Sequence, residues 1–333
     1  MDKKKKTKKQ HYVPRFYLSN WANEKGQIWV FDKSLKRSFQ ANIKDVASSN
    51  YFYDIPKEVL ESVSDDQKEI ISFLADKQIF EEMLSKIEEI NSKIISKILS
   101  KTEKIMIFPM NVSTDNYLKI SPQDKKELSF FLAIQYLRTK EARIQIEQLY
   151  TGTITALMQK TNYAPEIDFS KYDIALNQEY LQLFHLDILF STDTIEKIAT
   201  LLENYHWQIL INQTKNTFYT SDSPVVYYPN VKRKNPFKSY GFASYGISVY
   251  FPLSPKYALL ITEIDFFRQI EKQLYYKNVG FVGEDNVIFY NDLIVHHSTS
   301  QIYCNKNNFR WAKKRIEESP DLANINRKRV EIV

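Results

Sequence analysis

Only six glycines occur in 333 residues, Gly26, Gly152, Gly241, Gly246, Gly280 and Gly283. This scarcity restricts the chain more than any other feature, because glycine lets the main chain close tightly on a phosphate or turn through left-handed conformations without strain. Walker loops and dinucleotide fingerprints need clustered glycines at the start of a helix, and no such cluster with the right spacing exists. NAD, ATP and GTP sites of those types are therefore not expected. No GxSxG elbow, HExxH helix or EF-hand loop is present either, which removes support for the standard hydrolase and metalloprotease templates.

Six of the first nine residues are lysine and one is aspartate, so six minus one gives +5 of the formal net charge of +6. The basic character thus sits mainly in an N-terminal arm, which suits nucleic acid but is also compatible with a solubilising end. With 43% hydrophobic residues, a chain of this length can bury a large core. The longest apolar run, LSFFLAI at 128–134, falls far short of the roughly 20 residues needed to cross a bilayer. The N-terminus lacks the apolar stretch of a secretory signal. A single cysteine, Cys304, excludes an intrachain disulfide or a cysteine-based zinc site. These features predict a cytoplasmic protein with no membrane partner.

The pattern along the chain predicts an α+β fold. QIWVFD and RSFQANI around a KSLK turn read as a hairpin over 27–41, preceded by a short helix in PRFYLSNW. From about 64 to 100, Phe80, Met83, Leu84, Ile87, Ile90, Ile94 and Ile98 recur at helical spacing. Residues 124–145 are apolar on all sides and predict a buried helix. Further helix follows over 176–204, and from 206 the strands HWQILINQ, NTFYTSD, PVVYY, GISVYFPLS and YALLIT predict a largely antiparallel sheet. Residues 283–304 read as a final core helix. The expected organisation is a flexible arm over 1–10 and a single domain over 11–333. Within it, 11–60 hold the motif and hairpin, 61–205 are helical, 206–304 form the sheet and final helix, and 305–333 form a charged tail. The N-terminal hairpin and helical middle pack on the C-terminal sheet.

Directly after the arm comes QHYVPRFYL, then the pair Asn20-Trp21. ASSNYFYD at 47–54, an acidic helix near 80, FLAIQYLRTKEAR at 131–143, FYTSDSPVV at 218–226 and FPLSP at 251–255 follow in order. Together these segments resemble a mostly bacterial family known as domain of unknown function 4238. The resemblance spans nearly the whole chain and carries no assigned activity, so the chemistry must be read from the residues. The same resemblance strengthens Asp222 and Glu82 as candidate site members.

Gln135 and Arg138 lie one turn apart on the buried helix, where a guanidinium requires a carboxylate or a bound anion. Asp222 and Ser221 stand where a strand ends, a usual place for a cleft, although both are also common turn formers. VKRKNPFKSYGFASYG at 231–246 places Lys232 and Arg233 in a basic, aromatic-rich loop. His296 and His297 point about 100° apart on their helix and are poorly placed to share a metal. The expected site joins His11, Arg15 and Asp222 as catalytic groups with Gln135, Arg138, Tyr17, Ser221, Lys232 and Arg233 as substrate contacts. Such a set suits a phosphodiesterase: histidine moves a proton near neutral pH and arginine holds phosphate. A divalent cation such as Mg is the cofactor it would take, with Asp222 and Glu82 as candidate ligands. The leading expectation is a nuclease, with bacterial defence against phage as its setting. The alternatives are a non-catalytic RNA- or DNA-binding module and a cytoplasmic interaction protein with a structural polar core.

Overall fold

A computed structural model describes residues 6–55, 61, 79–107, 114–161, 175–231, 240–274 and 277–330. The chain begins with strand β1 (Lys9–His11), helix α1 (Arg15–Leu18) and the hairpin of β2 (Gln27–Asp32) and β3 (Arg37–Asn42). Strand β4 (Ser48–Asn50) returns antiparallel to β1. The basic arm is thus shorter than its charge suggests: Lys9 and Gln10 are already strand, and Gln10 is buried.

The helical part comprises α2 (Ile79–Ile107), α3 (Pro122–Leu137), α4 (Lys140–Thr161), α5 (Gln178–Phe190) and α6 (Thr192–Asn204). Local chemistry sets their boundaries. Ser121 accepts the Asp124 N–H and Pro122 occupies the first turn of α3, where its missing N–H costs nothing. The single helix expected over 124–145 breaks after Leu137, and the Thr139 hydroxyl accepts the Ala142 N–H to start α4. Arg138 therefore caps a helix instead of lying within one.

Strands β5 (His206–Asn212), β6 (Thr220–Ser221), β7 (Val226–Pro229), β8 (Ile247–Pro252) and β9 (Tyr257–Thr262) follow. After α7 (Ile264–Ile270) come β10 (Val279–Val282), α8 (Glu284–His297), β11 (Gln301–Cys304) and α9 (Arg310–Glu318). The helix expected over 283–304 thus stops at His297, and QIYC becomes the strand joining the N-terminal hairpin to β6.

Besides the β1-β4 pair, a five-stranded sheet runs β10-β5-β9-β8-β7, parallel only at β10 and β5, and a four-stranded sheet runs β3-β2-β11-β6, antiparallel throughout. Side chains alternate across a strand, so the larger sheet feeds two cores. Ile209, Ile211, Val249, Phe251, Leu259 and Ile261 join the core built with Leu128, Phe131 and Leu132 of α3. Leu210, Tyr250 and Ala258 face the other way, into a core with Val287 and Ile294 of α8. Burial on both faces explains why these strands read as nearly continuous apolar runs. No described helix is long and apolar enough to cross a membrane.

Candidate functional site

The N-terminal motif lies where α3 meets the sheets, and most of its polar groups serve buried main chain. Tyr17 is enclosed, stacks on Phe251 at 4.9 Å, and shares hydrogen bonds with the Thr220 hydroxyl at 2.7 Å and the Pro252 carbonyl at 2.8 Å. Asn20 donates to the Leu253 carbonyl at 2.8 Å and Trp21 to the Phe218 carbonyl at 3.2 Å. Gln10 accepts the Tyr53 N–H at 2.6 Å. Each bond satisfies a group that burial would otherwise penalise.

Gln135 and Arg138 meet this motif directly. Gln135 donates to the Tyr12 carbonyl at 3.0 Å. The Arg138 guanidinium reaches the His11 carbonyl at 2.6 Å, Glu88 at 2.9 Å and the Tyr53 hydroxyl at 3.2 Å. Burial pulls its pKa down, but Tyr53 and Glu88 more than offset this and the net shift is upward. Arg138 is thus a charged clamp engaged by protein acceptors. Glu82 is exposed and sits 3.6 Å from Lys86; the acids that face Arg138 are Glu88 and Glu81. Burial pushes Glu81 up to about 7, with Arg138 opposing and Glu88 and Asp54 reinforcing the shift.

The His11 ring faces the main chain of Ile43 and Lys44, not Asp222. Burial lowers its pKa to about 4, aided by Arg15 and Lys9 and opposed by that main chain. At neutral pH it is uncharged, with an enclosed Nε2 that has no hydrogen-bond partner. That makes it a much weaker proton carrier than an ordinary histidine. Tyr12, the next residue, is the motif member whose hydroxyl feels Asp222.

Asp222 is buried and accepts the Thr299 N–H at 2.9 Å, the Ser300 N–H at 2.7 Å, the Gln301 N–H at 2.9 Å and the Ser300 hydroxyl at 3.1 Å. Burial pushes its carboxyl up, opposed by Lys33 and the donated N–H groups. Around it, Lys33 donates to the Val295 and Ser298 carbonyls at 3.1 and 2.6 Å, and Arg327 to those of His296 and Ser298 at 2.9 and 3.0 Å. Thr299 donates its hydroxyl to Glu141 at 2.9 Å, and Arg329 reaches the other oxygen of Glu141 at 2.6 Å. The cluster satisfies the main chain that leaves the C-terminal end of α8 and enters β11, where helical partners run out. Burial lowers Lys33 to about 7.

The expected composite is therefore divided. Arg138 and Gln135 hold the motif's main chain, Tyr17 braces β6, and Asp222 fastens the turn before β11. Ser221 is buried and accepts the Ser223 N–H at 3.1 Å. Arg15 is exposed. Lys232 and Arg233 lie outside the described residues. Among the described residues, no group of three or more His, Cys, Asp or Glu side chains could hold a metal ion. Sequence reasoning passed over Glu88, although Leu84, Glu88, Asn91 and Ile95 share one helical face, a spacing that could have revealed a polar residue within the apolar stripe.

Residues 9–308 match the family described as Protein of unknown function (DUF4238), and the chain belongs to that family. No curated protein and no solved structure was found to match the chain.

Proposed function

We propose that the protein is a nucleic-acid-binding module whose motif holds a basic outer face in place. One contrast carries this reading: the motif's inner polar groups bond to main chain, whereas its cations face outward. Lys6, Lys8, Lys9, Arg15 and Lys44 are exposed. The fields of Lys9 and Arg15 both act on His11, and those of Lys9 and Lys44 both act on Asp45. Asp45 pairs with Lys9 at 2.6 Å. The lysine arm leads into this face, and such clustered cations attract a phosphate backbone by releasing its condensed counterions.

Phosphodiester hydrolysis is the second reading, favoured by the buried cluster of Asp222, Glu141 and Lys33. Burial shifts Asp222 upward and Lys33 downward, and shifted ionisable groups are common in active sites. The cluster's hydrogen bonds to main chain favour the binding reading. Incubating purified protein with tRNA, single-stranded RNA and DNA, with and without magnesium or manganese, separates the two. Retention of labelled strands without shortening is the expected result. Metal-dependent cleavage abolished by Glu141→Gln would establish hydrolysis, and neither binding nor cleavage would reject both readings.

A further inference from the structure

A cleft of about 640 Å³ opens between the segment leading into α3, the beginning of β5 and α7. Its size falls within the range of small-molecule sites, and such sites combine apolar walls with a few convergent polar groups. Ile120, Pro122 and Ile264 supply apolar wall, and none of the three is buried. Covering them with an apolar body removes that surface from water, which is favourable.

The cations of the lining are unequally engaged. Arg268 pairs with Asp265 at 3.1 Å and Lys277 with Glu271 at 3.0 Å. Lys119 and Lys125 line the same cleft without a carboxylate within ion-pair distance among the described residues. Lys125 is half-buried; it donates to the Tyr205 carbonyl at 2.6 Å and lies 5.8 Å from the centre of the Trp207 ring. An ammonium carries three N–H donors, so the carbonyl fixes the group in place and leaves donors for a ligand. Burial lowers the Lys125 pKa, opposed by Glu203, the remaining carboxylate of the lining. With Asp265 included, the cations here outnumber the carboxylates by one.

We infer that this cleft binds a small monocarboxylate with an apolar body, its carboxylate held by Lys125 and Lys119 and its body laid on Ile120, Pro122 and Ile264. A single excess positive charge matches a monoanion, and hydrogen bonds from an ammonium to a carboxylate are among the stronger ones. The apolar wall gives a bare inorganic anion nothing to bind. The inference is independent of the nucleic-acid reading, which concerns the face beside His11.

Isothermal titration calorimetry on the full-length protein at constant ionic strength tests the site with hexanoate, acetate, 1-hexanol and inorganic phosphate. Hexanoate should bind. Acetate lacks the apolar body and 1-hexanol lacks the charge, so each should bind at least about tenfold more weakly. Lys125→Met keeps an apolar stem without the ammonium and should weaken hexanoate about tenfold, the scale of a hydrogen bond to a charged group. Lys119→Gln alters an exposed side chain, so the melting temperature should hold while hexanoate binds several-fold more weakly, about the worth of an exposed ion pair. Ile264→Ser should weaken hexanoate and leave acetate unchanged. Acetate or phosphate binding as tightly as hexanoate would overturn the apolar half of the assignment. No binding of hexanoate by wild type, or unchanged binding by folded Lys119→Gln and Lys125→Met, would overturn the site.

Discussion

Arg138 and Asp222 are both fully buried charges that stabilise main chain, yet they do so by opposite means. Arg138 donates to the carbonyl of His11, while Asp222 accepts N–H groups from three consecutive residues, Thr299 to Gln301. Their counter-charges differ as well. Glu88, paired with Arg138, has a side chain that is 26% exposed. Asp222 lies among Lys33 and Arg327, which are buried with it. A buried charge left without its partner is costly, whereas one that can turn into water recovers part of the loss. The first region has an escape route to solvent and the second is sealed.

The largest expected effect follows from that seal. Asp222→Ala strands three N–H groups and the neighbouring cations, and thermal or denaturant unfolding should show a loss of about 3–5 kcal/mol. Arg138→Met should cost less, about 2–3 kcal/mol, because Glu88 can rehydrate while the missing bonds to His11 and Tyr53 remain uncompensated. Equal losses would erase the distinction between the two regions.

The pH response sharpens it further. Glu81 titrates near 7 when folded, against an ordinary value of 4.5, so the folded state binds the extra proton between those values. Its contribution is fully present below about pH 4.5 and is lost as pH rises through 7. His11 acts in the opposite sense. Its folded pKa near 4 lies below the ordinary 6.5, so stability rises with pH between 4 and 6.5. Unfolding curves across pH 4–8 should show Glu81→Gln lacking the falling component and His11→Gln lacking the rising one. Unchanged pH profiles in both variants would remove titration from the Arg138 region.

Part of this arrangement is legible in the sequence. Polar Gln135 and Arg138 on an apolar helix require interior partners, and the motif supplies them through its main chain. The hairpin, the acidic helix and the largely antiparallel sheet also follow from periodicity. The charged surroundings of Asp222 do not, because Lys33, Glu141 and Arg327 meet it only through tertiary packing. QIYC is too short to announce itself as a strand after a helical run. The low pKa of His11 depends on burial and on the placement of Lys9 and Arg15, which spacing does not give.

Truncation should have the smallest effect on stability if it stops before β1. Removing residues 2–5 deletes three lysines and one aspartate. It should leave the melting temperature unchanged while weakening nucleic-acid binding. The salt slope on a single strand should fall by about 0.7 for each phosphate that the deleted lysines neutralise. Extending the deletion through Lys9 removes part of β1 and the Lys9–Asp45 pair. The melting temperature should then fall, and an unchanged value would show that β1 contributes little to the fold.

The separation between an architectural interior and a binding exterior is tested most directly by comparing Gln135→Leu with Arg15→Ala. For each variant, the melting temperature and the affinity for labelled single-stranded RNA are measured under one salt condition. Gln135→Leu leaves the Tyr12 carbonyl without its donor, so stability should drop by about 1–3 kcal/mol while the folded protein binds as wild type does. Arg15→Ala should melt normally and bind less tightly. Weakened affinity in a stably folded Gln135→Leu, together with unaltered binding by Arg15→Ala, would contradict the division of labour.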